Sequence, residues 1–198
     1  MDTYIYEYGD KLYINLTNVC SNACVFCLRN TSDGVGGESL WLSREPTAEE
    51  VIALLDKKDL DKYREFVFCG FGEPLYAFDR LVEVGAYLKG RGKKVRLNTN
   101  GQGEFIVGAG AALRLVGAVD TVSISLNASD AEKYQEVCCC AFGKAGYDAM
   151  LRFAKECKDA GLRVILSVVD TIGTDEIERC KAIANGIGVT LRIRNYEK

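Results

Sequence analysis

The chain has 198 residues, a formal charge of -3 and 48% hydrophobic residues, which fits one folded domain over residues 1–198. This charge argues against broad binding to nucleic-acid phosphates. Nine cysteines and no histidine exclude Ser-His-Asp sites, Cys-His sites and zinc sites that use histidine. The odd cysteine count and an amino-terminal segment unlike a signal peptide indicate a reducing, cytoplasmic location, and no apolar run predicts membrane contact.

A β-hairpin is predicted at the start of the chain. Residues 4–8 and 12–16 are strand-like, and Gly9 and Asp10 form a short turn signal between them. A loop with three cysteines follows the second strand. Thr47 and Glu50 then have the spacing of a capping box, which predicts a helix that begins there and ends near residue 58.

The rest of the chain alternates between predicted strands and helices. Apolar strand patterns lie at residues 65–69, 95–98, 121–126, 163–169 and 189–193. Helical patterns lie between them, at residues 81–88, at 104–115, after a second capping box at Ser129 and Glu132, at 147–154 and at 175–184. The alternation implies parallel strands with the helices on the outside.

This order of elements predicts an α/β fold, namely a partial (β/α)6 TIM-like barrel with an N-terminal β-hairpin. Six parallel strands fit the length, whereas a closed eight-stranded barrel typically needs about 250 residues. A flavodoxin-like doubly wound sheet is the second candidate. In both architectures functional residues lie at the carboxyl ends of the strands, so unusual polar residues are expected directly after the strands.

Cys20, Cys24 and Cys27 lie within eight residues of the loop that follows the first barrel strand. Thiolates hold iron–sulfur clusters, and each iron of a four-iron cluster needs one ligand from outside the cluster. Three cysteines therefore leave one iron open to a small molecule with an amine and a carboxylate. A structural zinc loop, with Cys69 or Cys138 as its fourth ligand, is the alternative interpretation.

A glycine-rich turn, Cys69-Gly70-Phe71-Gly72-Glu73-Pro74, follows the next predicted strand. The glycines allow a ligand to approach the backbone closely, and Glu73 offers a carboxylate that suits an ammonium group. The alternative is an ordinary turn between a strand and a helix, with Glu73 in solvent.

The pattern from Cys20 to Cys27, with aromatic Phe26 before the third cysteine, resembles the cysteine motif of the radical S-adenosylmethionine (radical SAM) superfamily. The glycine-rich turn resembles the GGEP motif of that family, with Phe71 in place of the middle glycine. Residues 98–101 and 125–128 look like its third and fourth strand ends, so the resemblance covers most of the chain. More narrowly, residues 4–30 and 66–74 are similar to short radical SAM proteins linked to TatD-type nucleases.

The resemblance implies a 4Fe–4S cluster held by Cys20, Cys24 and Cys27, with S-adenosylmethionine at its unique iron. Glu73 and nearby backbone carbonyls would hold the amino group of that molecule, and Phe26 would lie near its adenine. The resemblance also implies cofactor contacts from the turns and strands around the site: Gly70, Gly72, Asn98, Asn100, Ser125, Asn127, Ser167, Val169 and Arg194.

The implied reaction is reductive cleavage of S-adenosylmethionine to methionine and a 5′-deoxyadenosyl radical, which abstracts hydrogen from an unidentified substrate. The implied partners are a flavodoxin- or ferredoxin-type electron donor, a nucleotide-related or peptide substrate, and a partner protein or second copy that covers the open side of the barrel. The alternative is a non-catalytic iron–sulfur or zinc-binding partner protein.

Two features depart from the family pattern or add to it. Phe71 either narrows the pocket for the methionine part of the cofactor or packs beneath the turn. Cys138, Cys139 and Cys140 form a second group of thiols, with an auxiliary cluster, redox chemistry or no function as the alternatives. Adjacent residues point in different directions, so these three are poor joint ligands for one cluster.

Overall fold

The computed structural model describes residues 2–195, and residues 1 and 196–198 of the predicted domain lie outside that range. The strands are β1 (Ile5–Tyr8), β2 (Lys11–Ile14), β3 (Gly34–Val35), β4 (Glu38–Ser39), β5 (Glu65–Phe68), β6 (Val95–Thr99), β7 (Thr121–Ser125), β8 (Arg163–Val169) and β9 (Thr190–Arg194). The helices are α1 (Ala48–Leu55), α2 (Phe78–Gly90), α3 (Gly103–Ile106), α4 (Ala111–Leu115), α5 (Ala131–Cys138), α6 (Ala145–Asp159) and α7 (Thr174–Ile187). Within the described residues, none of these helices is long and apolar enough to span a bilayer.

Seven strands form one sheet in the order β1-β2-β5-β6-β7-β8-β9, and β3 pairs only with β4. β1 runs antiparallel to β2, and every later neighbour in the large sheet is parallel. The strands therefore follow one another in chain order, without the reversal of order that a doubly wound sheet requires. This order confirms the predicted partial barrel with its N-terminal hairpin.

The two faces of the large sheet differ in polarity. Alternate residues of β2 and of β5 to β8 are buried in the apolar core shared with the helices, for example Leu12, Leu97 and Leu166. The residues between them are mostly polar and line a cavity on the opposite face. The strands β1, β2, β6, β7, β8 and β9 all contribute to this lining, as does the turn after β5, so the sheet curves around the cavity.

Two predicted helix signals are wrong in detail. The pattern at residues 104–115 forms two short helices, α3 and α4, because Gly108 (φ 98°) and Gly110 (φ 79°) adopt left-handed conformations between them. The N-cap of α5 is Asp130, one residue after the predicted Ser129, because the Asp130 side chain accepts a hydrogen bond from the Lys133 amide. An aspartate oxygen is at least as good an N-cap acceptor as a serine hydroxyl.

The first predicted capping box is confirmed. The Glu50 amide donates to Thr47 Oγ1 at 3.3 Å, and the Thr47 amide donates to Glu50 Oε2 at 2.9 Å. These two bonds satisfy amide groups that have no partner within the helix, and they fix where α1 begins. The helix ends at Leu55, three residues earlier than the pattern predicts.

Candidate active site

The cysteine loop, residues 20–27, is held by the chain that follows α5. The Ala23 amide donates to the Cys138 carbonyl at 3.0 Å, and the Ala141 amide donates to the Ser21 carbonyl at 2.7 Å. These bonds bind the loop to an element more than a hundred residues away in the sequence. The second group of thiols thus lies in the segment that supports the cysteine loop.

Cys20, Cys24 and Cys27 are partly buried, and all three line the cavity on the polar face of the sheet. Within residues 2–195, no group of three or more Cys, Asp or Glu side chains converges closely enough to hold a single metal ion. A zinc ion needs four ligands around one point. Each thiolate of a four-iron cluster binds a different iron, and three thiols spread along one cavity wall match that requirement.

Two thiols of the loop, Cys20 and Cys24, have a raised pKa when no metal is bound. Burial raises the pKa of Cys20 to about 12, and the nearby Glu73 carboxylate adds to this effect. A hydrogen bond with Cys138, together with burial, raises the pKa of Cys24 far above its usual range. Cysteine ligates iron as its thiolate, so iron binding to Cys20 and Cys24 must release protons.

The second group of thiols diverges in the structure. Cys138 and Cys140 are buried, whereas Cys139 is exposed and adopts a left-handed conformation with φ 45° at the end of α5. The Cys138 thiol lies against Cys24 and 3.5 Å from Asn127 Nδ2. The three side chains therefore point to different surroundings, and they do not form a ligand set for an auxiliary cluster.

A buried polar network joins the cysteine loop to the turn after β6. Ser21 Oγ donates to Gln102 Oε1 at 2.5 Å and accepts from Asn100 Nδ2 at 2.9 Å. Gln102 Nε2 donates to Asn22 Oδ1 at 2.8 Å, and Asn22 Nδ2 donates to the Tyr134 hydroxyl at 3.0 Å. Sequence reasoning missed Gln102 and Tyr134, because neither belongs to a motif. The position of Gln102, directly after Asn100 and Gly101, is the one signal that could have identified it.

Glu73 is a buried carboxylate on the cavity wall, with 3% of its surface exposed. Its oxygens accept hydrogen bonds from Thr99 Oγ1 at 2.7 Å and from the Asn100 and Leu75 amides at 2.6 and 3.1 Å. Burial raises the pKa of Glu73 to about 7, although these hydrogen bonds oppose the shift. No lysine or arginine of the described chain pairs with it. A cationic ligand would therefore satisfy this carboxylate.

The two glycines of the glycine-rich turn are required by close packing. A Cβ atom at Gly70 would lie 1.9 Å from Asn15 Oδ1, and one at Gly72 would lie 2.3 Å from the Thr17 carbonyl oxygen. The Glu73 amide donates to the Val19 carbonyl at 2.8 Å, which holds the turn against the chain leading into the cysteine loop. The glycines thus allow the turn to bring Glu73 up to that loop.

Replacing Gly72 with alanine is expected to destabilise the protein by about 1–3 kcal/mol, because the added methyl group overlaps backbone atoms that must then move. The matched control is Gly90→Ala at the end of α2, where a Cβ atom meets nothing within 4 Å. That change is expected to be neutral or stabilising by up to about 1 kcal/mol. Urea unfolding measures both, and equal midpoints for Gly72→Ala and the wild type would contradict the packing argument.

Phe71, which replaces the middle glycine of the family motif, is buried beneath the turn. It forms a small apolar cluster with Tyr6 and Leu40, and the Trp41 ring packs edge-on against it at 5.0 Å. Phe71 also lines the cavity with the cysteine loop, so it both packs under the turn and narrows that cavity. Glu73 keeps its access to the cavity.

Every predicted site residue lines the same cavity of about 580 Å³. They come from the cysteine loop, the glycine-rich turn and the ends of β6 to β9: Cys20, Cys24, Phe26, Cys27, Gly70, Gly72, Glu73, Asn98, Asn100, Ser125, Asn127, Ser167, Val169 and Arg194. The side-chain oxygens of Asn98 and Asn127 are buried and accept no hydrogen bond from the described residues. Unsatisfied buried oxygens are costly, so these two fit a ligand that donates hydrogen bonds.

A larger cavity of about 830 Å³ adjoins the first, and Phe26 and Asn127 line both. The rest of its lining comes mainly from α5 and from residues 171–179, where Glu176 pairs with Lys133 and Arg179 at 2.7 and 2.6 Å. No cysteine belongs to its lining in the described chain. Thiolate chemistry is therefore confined to the smaller cavity.

Comparisons with known proteins agree with this geometry. Residues 14–184 match the model of the Radical SAM superfamily, and no curated protein matches the chain. SuiB from Streptococcus suis bound to precursor peptide SuiA has a TM-score of 0.74 at 18% identity, covering 98% of this chain and 40% of that one. A radical SAM methyltransferase from Sphaerobacter thermophilus has a TM-score of 0.62 at 15% identity, covering 96% and 68%. Native anSMEcpe with bound AdoMet has a TM-score of 0.66 at 19% identity, covering 94% and 51%.

The family model covers most of the chain, including the cysteine loop and the glycine-rich turn. The chain spans about two fifths of the length of SuiB. Radical SAM proteins bind a 4Fe–4S cluster and S-adenosylmethionine, which are the groups that the thiols and Glu73 fit here. The chain belongs to the radical SAM superfamily.

Proposed function

We propose that this chain forms a radical SAM core domain of an enzyme and holds a 4Fe–4S cluster through Cys20, Cys24 and Cys27. The observation that carries the proposal is the shared cavity, in which three thiols face a buried carboxylate that no cation of residues 2–195 neutralises. The cluster, when bound, supplies one electron that cleaves S-adenosylmethionine to methionine and a radical able to abstract hydrogen from a substrate.

The chain's own residues bind and orient the cofactor in this proposal. Glu73 accepts hydrogen bonds from the cofactor's amino group, and Asn98 and Asn127 accept from its hydroxyls. The side-chain oxygens of Asn98 and Asn127 accept no hydrogen bond from the described residues, which supports their role as acceptors for the cofactor. Asn127 has φ 57°, a conformation that asparagine tolerates better than most residues, and it aims its side chain at the cavity.

The remaining predicted contacts complete the cofactor site. Phe26 packs near adenine, and Ser125, Ser167 and Val169 line the wall that the adenosine part would meet. Gly70, Gly72 and Asn100 shape the wall near the methionine part, and Arg194 at the end of β9 pairs with a carboxylate. These assignments rest on the family motif and on the cavity lining.

We further propose a place for the protein among the TatD-associated radical SAM proteins, supported by the motifs at residues 4–30 and 66–74. A flavodoxin- or ferredoxin-type protein in the cytoplasm would supply the electron. The open side of the barrel would be covered by substrate, by a partner protein or by a second copy. A nucleotide-related substrate follows from the TatD association. A peptide is the second candidate, favoured by the similar fold of SuiB, which has been solved with its precursor peptide.

Anaerobic reconstitution with iron and sulfide tests the proposal. The reconstituted protein is expected to bind one four-iron cluster per chain. When S-adenosylmethionine and dithionite are added, 5′-deoxyadenosine is expected to accumulate. A protein that takes up iron but never cleaves the cofactor would instead be a non-catalytic iron–sulfur partner. A protein purified with one zinc and no iron would contradict the cluster itself.

Cofactor affinity is expected to fall as the pH decreases. With its pKa near 7, Glu73 in the free protein takes up a proton below neutrality, and that proton must be released before both oxygens can accept hydrogen bonds from the cofactor's amino group. Affinity for S-adenosylmethionine should drop about tenfold from about pH 8 to about pH 6. Calorimetric titration measures this affinity at each pH. Protonation of the cofactor's own amine also changes the affinity, but it does so equally in the wild type and in Glu73→Gln, which therefore serves as the control. A wild-type profile parallel to that of Glu73→Gln would contradict the role of Glu73.

A further inference from the structure

Two arginines on the polar face of the sheet have no part in the cofactor site described above. Arg96 is the second residue of β6, two residues before Asn98, and Arg192 lies two residues before Arg194 in β9. Both line the same cavity. Because alternate residues of a strand share one face, these arginines lie further from the carboxyl edge of the sheet than the residues proposed to bind the cofactor.

Positive charge exceeds negative charge in this part of the cavity. Arg96 Nη2 lies 3.3 Å from Glu65 Oε2, and Lys11 Nζ lies 3.9 Å from the same oxygen. Arg192 forms no ion pair within residues 2–195, although the charge of Glu65 reaches it. The Glu65 carboxylate is thus the negative charge that Lys11, Arg96 and Arg192 share.

The guanidinium groups are also short of hydrogen-bond acceptors. The Arg96 side chain is 7% exposed, and the Nε atoms of Arg96 and Arg192 are buried and donate to no acceptor of the described chain. Burial, followed by repulsion from Arg96 and Arg194, lowers the pKa of Arg192. A buried donor without a partner costs about 1–3 kcal/mol, so an oxyanion that pairs with these groups would be stabilised.

We propose that Arg96 and Arg192 form an oxyanion site that binds a carboxylate or phosphate group of the substrate. The proposal deepens the proposed function, on which it rests for identifying the anion with the substrate. Planar guanidinium groups bind both kinds of oxyanion through paired hydrogen bonds. The stacked rings of Tyr6 and Tyr13, 5.1 Å apart, line the same cavity and provide an apolar wall beside the charged groups.

Calorimetry tests the site. The reconstituted protein is first saturated with S-adenosylmethionine, and it is then titrated with inorganic phosphate and, in a separate experiment, with succinate. At least one anion is expected to bind saturably, and the tighter of the two identifies the group as phosphate or carboxylate. Arg192→Gln should weaken that binding about tenfold or more, whereas Arg192→Lys should retain part of it. Arg64→Gln is the matched control, because Arg64 is 72% exposed and absent from the cavity lining, and it should bind as wild type does.

The site is overturned if neither anion saturates the wild type or if Arg192→Gln binds both as the wild type does. It is also overturned if Arg192→Gln loses affinity for S-adenosylmethionine and keeps its affinity for the anions, since Arg192 would then belong to the cofactor. Formation of 5′-deoxyadenosine is measured in the same samples. If the wild type cleaves the cofactor but binds neither anion, only the oxyanion site is contradicted. If the wild type never cleaves the cofactor, the proposed function is contradicted.

Discussion

Replacing Cys24 with alanine is expected to abolish both cluster binding and cleavage of S-adenosylmethionine. Two thiolates leave a second iron of the cluster without a protein ligand, so the four-iron form is no longer held. Iron and sulfide content, the visible absorbance of the reconstituted protein and the yield of 5′-deoxyadenosine measure the effect. The yield should fall to that of the reaction without protein.

The neighbouring thiol of Cys138 makes a stricter version of this experiment necessary. Cys138 contacts Cys24 in the structure, so it is a thiol placed to replace Cys24 as a ligand. The Cys24→Ala/Cys138→Ala double variant removes that route. Cys139→Ser is the matched control, because Cys139 is exposed and outside the cavity lining, and it should bind a full cluster. A double variant with full cluster content and parental activity would contradict the assignment of Cys24.

Replacing Glu73 with glutamine is expected to weaken binding of S-adenosylmethionine about 30-fold or more, equivalent to about 2 kcal/mol or more, while cluster content is retained. The amide has nearly the shape of the carboxylate, but it lacks the negative charge that strengthens the hydrogen bonds donated by the cofactor's amino group. Its nitrogen also cannot accept the hydrogen bond that one Glu73 oxygen receives from the Asn100 amide. Calorimetric titration of the reconstituted protein measures the loss.

Glu104→Gln is the matched control for the Glu73 variant. Glu104 is about half exposed, pairs with Arg152 at 2.7 Å and does not line the cavity, so its loss should leave cofactor affinity unchanged. Unchanged affinity in Glu73→Gln as well would show that the cofactor's amino group does not depend on Glu73.

The order of strands and the positions of the motifs could be predicted because both depend on local patterns. The apolar runs of β5 and β8 are short and bounded by turn signals, and parallel strands must present their carboxyl ends at one edge. The cysteine loop and the glycine-rich turn directly follow neighbouring strands, β2 and β5, so they were expected to meet. The paired strands and the shared cavity confirm that expectation.

The support for the site could not be predicted, since it depends on contacts between distant parts of the chain. Gln102 reaches Ser21 across 81 residues of sequence, and Asn22 reaches Tyr134 across 112. The charge excess at Arg96 and Arg192 appears only when the curved sheet brings β6 and β9 around one cavity. In each single strand these arginines look like ordinary polar residues of an alternating pattern.

The most direct test of the central claim uses S-adenosylmethionine labelled with nitrogen-15 at its amino group, bound to the reduced, reconstituted protein. Three protein thiolates leave one iron free for that amine, so electron–nuclear double resonance should detect coupling between the label and the cluster in the wild type. The Glu73→Gln variant should need far more cofactor to give the same signal. A cluster whose spectrum shows no coupling to the label, at cofactor concentrations that saturate the protein, would contradict the account.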